Sequence, residues 1–521
     1  MKLCRLPMVE LYYAREDSAP AFFLSLFTTA EIHAEITFSE HIAPLVFENC
    51  SSCHRPGQAG PFSLTNYKEV RKRGRIMLEV MEDRFMPPWK PVPGHGVFAN
   101  SKALSDEEIS LFEKWVESDR PEGDPDKMPP FPDFPAGWQL GEPDIIVSMI
   151  EAFPVPADGR DIYRNFAIPL DLPEDKWVKA VELRPSERSV LHHVLFFLDE
   201  SGRARELDGR DGKPGFSGMG FKRSGSLGSY IPGAEPLLLP GDLALPLKKG
   251  SDLVLATHFH PTGKAVSEKS TVGIYLADKP SSKTVIPMQV PPAFGAGMGI
   301  DIPAGDSKYR IEDSFTIPSD VEAIAVGGHA HYVCQEMRMT ATLPDGVTKP
   351  LLYIDDWDLN WQGSYLFKEP VKLPKGTVLK TEIRYNNSSS NPRNPFSPPK
   401  RIRWGKESTD EMGSITLQVV AADESDAAMI VRSTRRKTGR NILAQAAKKL
   451  DGRLNSAGQS DLTRSNVLRL LDKNRDGRIQ ESEASARLKE SFSQVDKNKN
   501  GTLEEDELQP VVEFLKARRK R

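Results

Sequence analysis

Cysteine is what this chain has least of, four in 521 residues. Cys4 and Cys334 stand alone and Cys50 and Cys53 lie close together, so no disulfide framework holds the fold, and packing, with metals, must supply its folding energy. Long apolar runs are also absent. Nothing approaches the roughly 18 residues that cross a bilayer, which predicts no membrane span. Neither sign of charge dominates: 69 Lys and Arg against 73 Asp and Glu leave a net −4, without the footprint of a nucleic-acid or membrane-surface binder. The one basic run, "KARRKR" at the end, reads as a solvated tail. Near the start, "APAFFLSLFTTAEIHA" (residues 19–34) has the apolar core and small last residue of a secretory signal, although Glu10, Arg15, Glu16 and Asp17 replace the usual basic lead-in. Residues 1–35 are therefore a candidate signal peptide, and the chain is expected to be exported, to the periplasm or outside the cell.

Proline marks the seams of what remains. "RPEGDPDKMPPFPDFPAGW" (residues 120–138) is too proline-dense for helix or central strand, so 126–140 reads as a linker. Helical patterns precede it, over 36–125. After it come short alternating runs such as "SDLVLATHF", "AIAVGGHAHYV" and "SITLQVV" between Pro, Gly and Asp turns, the layout of β-sandwiches or jelly rolls. From about Arg432 the pattern becomes helical and charged again; 426–460 reads as a second linker and 461–515 as the last region. The expected fold is multidomain and mainly β, with an all-α region at the N-terminal end and an α-helical pair at the C-terminal end.

"NCSSCHRPG" carries Cys50, Cys53 and, next to it, His54. This spacing suits a zinc knuckle, a redox pair or covalent haem. Zinc needs two further ligands at similar spacing, which His41 and His95 do not form, and a thioredoxin-type pair needs a βαβ context that is absent. Haem fits: two thiols add to two vinyl groups while His54 reaches the iron. Such a site calls for a soft sixth ligand downstream. Met86 in "DRFMPPWKP" precedes two prolines that hold it in an extended loop, whereas Met77 and Met81 are rivals on a helix, and a loop methionine also fills core gaps. Ser105 and Glu108 make a capping box before an amphipathic helix. On the haem motif, the Met-Pro-Pro loop and this last helix, residues 36–125 resemble a small class I cytochrome c, which implies haem c on Cys50 and Cys53 with His54 and Met86 as axial ligands.

Six of the ten histidines fall in three doublets: His192 and His193, His258 and His260, His329 and His331. In a strand, residues two apart share a face, so His-x-His is a natural two-point chelate. Adjacent His192 and His193 would face opposite ways and can serve one metal only at a bulge or strand end. Backbone carbonyls could satisfy any one doublet. Three in one β region call for metal. In "DEMGSITLQVV", alternation puts Ile415, Leu417 and Val419 on one face and Met412, Ser414, Thr416 and Gln418 on the other, so Met412 lies on the polar side. Imidazoles with a thioether suit copper cycling between oxidation states better than zinc.

The order "HH", "LVLATHFHPTG", "GGHAHYV", "STDEMGSITLQVV" resembles the copper type II monooxygenases, the group of peptidylglycine alpha-hydroxylating and dopamine beta-monooxygenases, over roughly residues 140–425. The resemblance implies two consecutive jelly-roll sandwiches, 141–278 and 279–425, with one copper each. His192, His193 and His258 would hold an electron-transfer copper; His329, His331 and Met412 would hold the catalytic copper, where O2 meets a small-molecule or peptide substrate. His260 matches a position that is not a ligand in the family and is expected to support the ligands from outside. The arginine with which the amidating enzymes clamp a substrate carboxylate is replaced by Gly327, and substrate-binding residues after the methionine by Ser414 and Thr416, which argues against peptide amidation. The expected reaction is C–H hydroxylation, with electrons passing from an external donor through haem to the first copper and then to the second. The rival expectation is a periplasmic haem and copper electron-transfer or copper-binding protein without oxygenase activity.

The last region carries two copies of the twelve-residue EF-hand loop, "DKNRDGRIQESE" and "DKNKNGTLEEDE". Calcium ligands are expected from Asp472, Asn474, Asp476, Arg478 (backbone), Gln480 and Glu483, and from Asp496, Asn498, Asn500, Thr502 (backbone), Glu504 and Glu507. Gly477 and Gly501 make the sharp turns. The loops start only 24 residues apart, a spacing that resembles compact bacterial EF-hand pairs and dockerin repeats, so protein docking is a further expectation.

Overall fold

The computed structural model describes residues 35–456 and 463–518, apart from positions 57, 59, 100, 135, 136, 219, 233, 234, 473, 475, 485–487 and 489–491. The candidate signal peptide lies outside the described residues except for Glu35. No described helix is long and apolar enough to cross a membrane.

Three helices form the first unit: α1 (Ala43–Asn49), α2 (Tyr67–Glu82) and α3 (Asp106–Glu117). Their starts are written in the sequence. The Asn66 side chain accepts from Glu69 N at the head of α2, and Ser105 and Glu108 form the expected capping box at the head of α3. Their apolar faces close over Phe38, Ile42, Val46, Phe112 and Trp115, all fully buried.

Sixteen strands then build two sandwiches of antiparallel sheets. The first uses β1 (Ile145–Ser148), β2 (Ile162–Pro169), β3 (Lys176–Arg184), β4 (Leu191–Asp199), β5 (Gly225–Tyr230), β6 (Leu245–Leu247), β7 (Asp252–Phe259) and β8 (Thr271–Leu276). Their orders are β1-β8-β3-β6 and β2-β7-β4-β5. One core, including Phe166, Leu183, Phe196, Leu255 and Ile274, is shared by the two sheets. The second uses β9 (Val285–Val290), β10 (Tyr309–Thr316), β11 (Val321–Ala330), β12 (Cys334–Thr342), β13 (Thr348–Ile354), β14 (Ser364–Leu373), β15 (Val378–Tyr385) and β16 (Gly413–Ala421). The orders are β9-β16-β11-β14 and β10-β15-β12-β13. Ile415, Leu417 and Val419 are fully buried in its core, as their alternation requires.

Two connections differ from expectation. The segment 426–460, read as a linker, is largely one helix, α4 (Ala427–Ser456). It has no continuous apolar stripe, so hydrophobic periodicity does not reveal it; it is held by polar contacts instead. Lys437 pairs with Asp313, Asn441 Nδ2 donates to Asp313 Oδ2 at 3.0 Å, and among its described side chains the buried apolar ones are Ala427 and Ile430. The Pro-rich 126–140 is extended but anchored, with Trp138 buried against Ala180 and Tyr275.

Candidate metal centres

A bulge answers the problem of the adjacent histidines. Along β4, Leu191 pairs with Phe259 and His193 with His258, so His192 is the extra residue in the ladder. The bulge turns it to the side of its neighbour. One nitrogen from each of His192, His193 and His258 lies within 4.8 Å of the others, and the Nδ1 atoms of His192 and His193 are 3.0 Å apart. His258 is stacked on Tyr163, ring centroids 4.3 Å apart. Its Nε2 is 3.0 Å from Asp161 Oδ2, while its buried Nδ1 has no hydrogen-bond partner. A buried imidazole in that state calls for a further partner. Burial, with the charge of His258 beside them, pulls His192 down to about 4 and His193 well below its ordinary value.

Asp161 organises the outer side of this cluster. His260 Nδ1 lies 2.8 Å from one of its oxygens and Ser408 Oγ donates to the other at 2.7 Å. Burial would raise this carboxyl, but its contacts with His258, His260 and Ser408 outweigh burial and hold it well below the usual carboxylate range. His260 thus turns toward Asp161.

The second cluster lies where β11 and β16 pair. His329 is opposite Ser414 and Ala330 opposite Gly413, where the ladder ends; His331 and Met412 are the next residues beyond it on the two chains. Alternation puts His329, His331, Met412 and Ser414 on one face. The two rings are 5.3 Å apart. His329 Nδ1 is 2.7 Å from Gln362 Oε1 and His331 Nδ1 is 3.3 Å from the Asp410 carbonyl, so both rings keep Nε2 for a metal. Burial lowers His329 to about 4, and burial with the His329 charge lowers His331 to about 3. Met412 is buried yet lies outside the hydrophobic core. The Glu411 carboxylate, pushed up to about 8 by burial, accepts the backbone N–H groups of His331 (2.6 Å), Met412 (2.8 Å) and Val333 (3.2 Å). It pins both ligand-bearing strand ends.

In the helical unit, Cys50 to His54 form one tight turn, with His54 N donating to Cys50 O at 2.9 Å. His54 Nδ1 is 3.1 Å from the Phe62 carbonyl, which leaves Nε2 available. A Cβ on Gly60 would lie 2.7 Å from His54 Nδ1, so glycine is what lets the chain pass there. Neither Cys50 nor Cys53 is in a disulfide, and burial followed by the neighbouring Cys53 pushes the Cys50 thiol up to about 12. Met77 and Met81 are packed in the helical core, whereas Met86 is half-buried outside it. A cavity of about 1370 Å³ runs from Cys53, Arg55 and Gln58 to Gln362, Thr416 and Gln418, joining the Cys-x-x-Cys-His turn to the second histidine sheet.

At the C-terminal end, Gly477 (φ 83°) and Gly501 (φ 82°) turn the two loops in the left-handed region. Asp472 Oδ2 accepts Gly477 N at 2.8 Å and Glu483 accepts the N–H groups of Asn474 and Gln480, both at 3.0 Å. The second loop repeats this, with Asp496 on Gly501 N (3.0 Å) and Glu507 on the N–H groups of Lys497 (2.8 Å) and Glu504 (3.2 Å). Asp476 accepts Arg478 N and Asn500 accepts Thr502 N, while Asn498 accepts Asn500 N. The loops are tied back to back by Ile479 pairing with Leu503. All the expected ligand residues therefore line their own loop.

Sequence reading missed Asp161, Asn360, Gln362, Ser408 and Glu411. Each is a common polar residue outside the histidine motifs; Glu411, beside Met412, and Ser408, four residues before it, had adjacency as a signal.

The EF-hand family profile matches residues 464–483 and 488–512. No curated protein matches the chain. Among solved structures, the major capsid protein P2 of bacteriophage PM2 is similar at 11% identity, over 53% of this chain and 97% of that one, with a TM-score of 0.23. A structure of PNGF-II is similar at 12% identity over 53% and 65%, with a TM-score of 0.22. Recombinant peptide:N-glycanase F follows at 8% identity over 53% and 95%, with a TM-score of 0.21. Scores this low carry no assignment. The C-terminal region is an EF-hand pair, the remainder a mainly β structure of antiparallel sheets with a few helices.

Proposed function

We propose that this chain is a copper-dependent monooxygenase that hydroxylates a C–H bond, fed with electrons through a fused c-type haem. The observation that carries the reading is the pair of ligand sets: three imidazoles converging within 4.8 Å in one sandwich, and in the other two imidazoles 5.3 Å apart beside the strand end that Met412 precedes. The donor chemistry fits copper, and the buried Nδ1 of His258, which has no hydrogen-bond partner, fits a bound ion. The two sandwiches are then the jelly-roll pair of the resembled family, and residues 36–125 its cytochrome c-like partner.

Copper, when bound, would supply dioxygen activation and one-electron cycling, and haem c would supply electrons singly. His192, His193 and His258 would hold one ion and His329, His331 and Met412 the other; Cys50 and Cys53 would anchor the haem, with His54 and Met86 on its iron. The protein's own part is legible in bonds. Burial keeps His192, His193, His329 and His331 neutral, so protons do not compete for their lone pairs. The amide of Gln362 holds the Nδ1 proton of His329 and thereby turns its Nε2 lone pair outward. Glu411 fixes the backbones of His331 and Met412 at once. The strand face beside them continues through Gly327, Ser414 and Thr416, with no charged clamp for a substrate carboxylate. The overall balance is RH + O2 + 2e⁻ + 2H⁺ → ROH + H2O. The EF-hand pair would bind calcium.

Metal analysis with optical and EPR spectra, then oxygen uptake with a reduced donor, tests this. One haem, two coppers and substrate-dependent oxygen consumption are expected. Zinc in the histidine sites overturns it. Fully loaded sites that consume no oxygen with any C–H substrate leave an electron-transfer protein instead.

A further inference from the structure

One loop of the second sandwich, residues 358–363 between β13 and β14, touches both histidine clusters. Asn360 Oδ1 lies 2.7 Å from His192 Nε2, across the junction between the sandwiches, and two residues on, Gln362 Oε1 lies 2.7 Å from His329 Nδ1. The Asn360 amide cannot be turned the other way, because its Nδ2 donates to Asp358 Oδ1 at 2.9 Å. Asp358 is itself buried and also accepts Asn360 N. An acceptor on His192 Nε2 places the ring proton there and turns Nδ1 toward His193 and His258; an acceptor on His329 Nδ1 does the reverse. The same short loop thus sets opposite tautomers in the two clusters.

Gly327 explains how the loop comes so near. A Cβ there would lie 3.0 Å from the Gly363 carbonyl, so the position where the amidating enzymes carry arginine is here taken up by the passing loop. A second polar tie spans the same junction: Ser408, from the loop before Met412, donates to Asp161 beside His258 and His260. The junction also carries a small apolar patch, with Leu239 and Leu243 against Ile324, Ala325 and Val420. Junctions of that size ordinarily leave domains free to move.

We propose that Asn360 and Gln362, with Ser408, are positioning residues that lock the two histidine clusters face to face, so that an electron passes from the first site to the second through the bonded path His192–Asn360–Trp361–Gln362–His329 instead of an open solvent gap. The electron-transfer half rests on the copper reading above. The locking half does not, and it is read in the copper-free full chain. Nitroxides are placed on keto amino acids replacing exposed Glu174 and Asp345, one in each sandwich, and their distance distribution is measured. A single narrow distance is expected, broadening in Asn360→Leu and further in Asn360→Leu with Ser408→Ala; the milder Ser408→Ala alone covers the case in which the double variant fails to fold. A broad wild-type distribution, or variants with unchanged distances, overturns the lock. In the copper-loaded chain, Asn360→Leu should retain both coppers while transfer between them slows at least tenfold; an unchanged rate overturns the bonded path. A narrow distance in a chain that binds no copper fails the copper reading and leaves the lock standing.

Discussion

At the scale of single residues, the second cluster is held as much by backbone as by side chain. Gly413 stands between Met412 and Ser414, and a Cβ there would fall well inside contact distance of the Tyr385 hydroxyl and 3.1 Å from Ile383 Cδ1. That hydroxyl is buried and donates to the Met412 carbonyl at 3.0 Å. Gly413→Ala must push away the group that holds Met412, so we expect a loss of about 1–3 kcal/mol in urea unfolding, with weaker copper binding at the second cluster and unchanged binding at the first. Met412→Ile keeps the volume and removes the sulfur. It should retain haem and the first copper and lose substrate-dependent oxygen uptake; retained uptake would remove Met412 from the site. The histidines and Met412 were legible in the sequence because their types and spacing are unusual. Glu411, Asp161 and Asn360 were not, since an acid or amide shows its purpose only when a strand register brings a distant backbone or ring to it.

At the scale of elements, alternation was readable and irregularity was only implied. Strand β16 buries Ile415, Leu417 and Val419 on one face and leaves Thr416 and Gln418 half-exposed on the other, as period two dictates. The extra residue in β4 could be inferred only as a condition: a single metal cannot use both His192 and His193 unless the ladder slips between them, and it slips there. Deleting His192 should let Leu191 and His193 run as a regular ladder against Phe259 and His258. We expect the variant to keep its far-ultraviolet circular dichroism and, on the copper reading proposed above, to bind one copper per chain in place of two. Retention of both coppers would show that the bulge has no part in the site. Helix α4 was legible only in part: the pattern turns helical and charged from about Arg432, but nothing in it shows where the helix packs. Its hold on the sandwich depends on Lys437 and Asn441 meeting Asp313, and a Cβ on Gly297 would lie 2.7 Å from the Asn441 backbone. None of these leaves an apolar period to read.

At the scale of the whole molecule, the helical unit is fastened to the β region while the EF-hand pair keeps a core to itself. The chain following Met86 lies on the second sandwich: Trp89 packs on Tyr365 and Phe98 on Phe367, with centroids 5.1 and 5.2 Å apart, and buried Lys90 pairs with Asp356 at 2.7 Å. The EF-hand core is separate, built from Val467, Ile479, Phe492, Leu503, Leu508 and their neighbours. It is small for its task, because each loop gathers carboxylates, Asp472, Asp476 and Glu483 in one and Asp496, Glu504 and Glu507 in the other, which repel without a cation. A ligand at a hundredfold excess over its Kd adds about 2.7 kcal/mol to the unit that binds it, and here that unit is the pair alone. Chelating calcium should therefore lower one calorimetric transition, the one abolished by truncation at residue 460, and leave the β transition in place. Glu483→Gln should reproduce part of that shift at saturating calcium, since position twelve supplies the bidentate carboxylate. A chelator that moved the β transition equally would mean that α4 carries the stability of the loops into the sandwich.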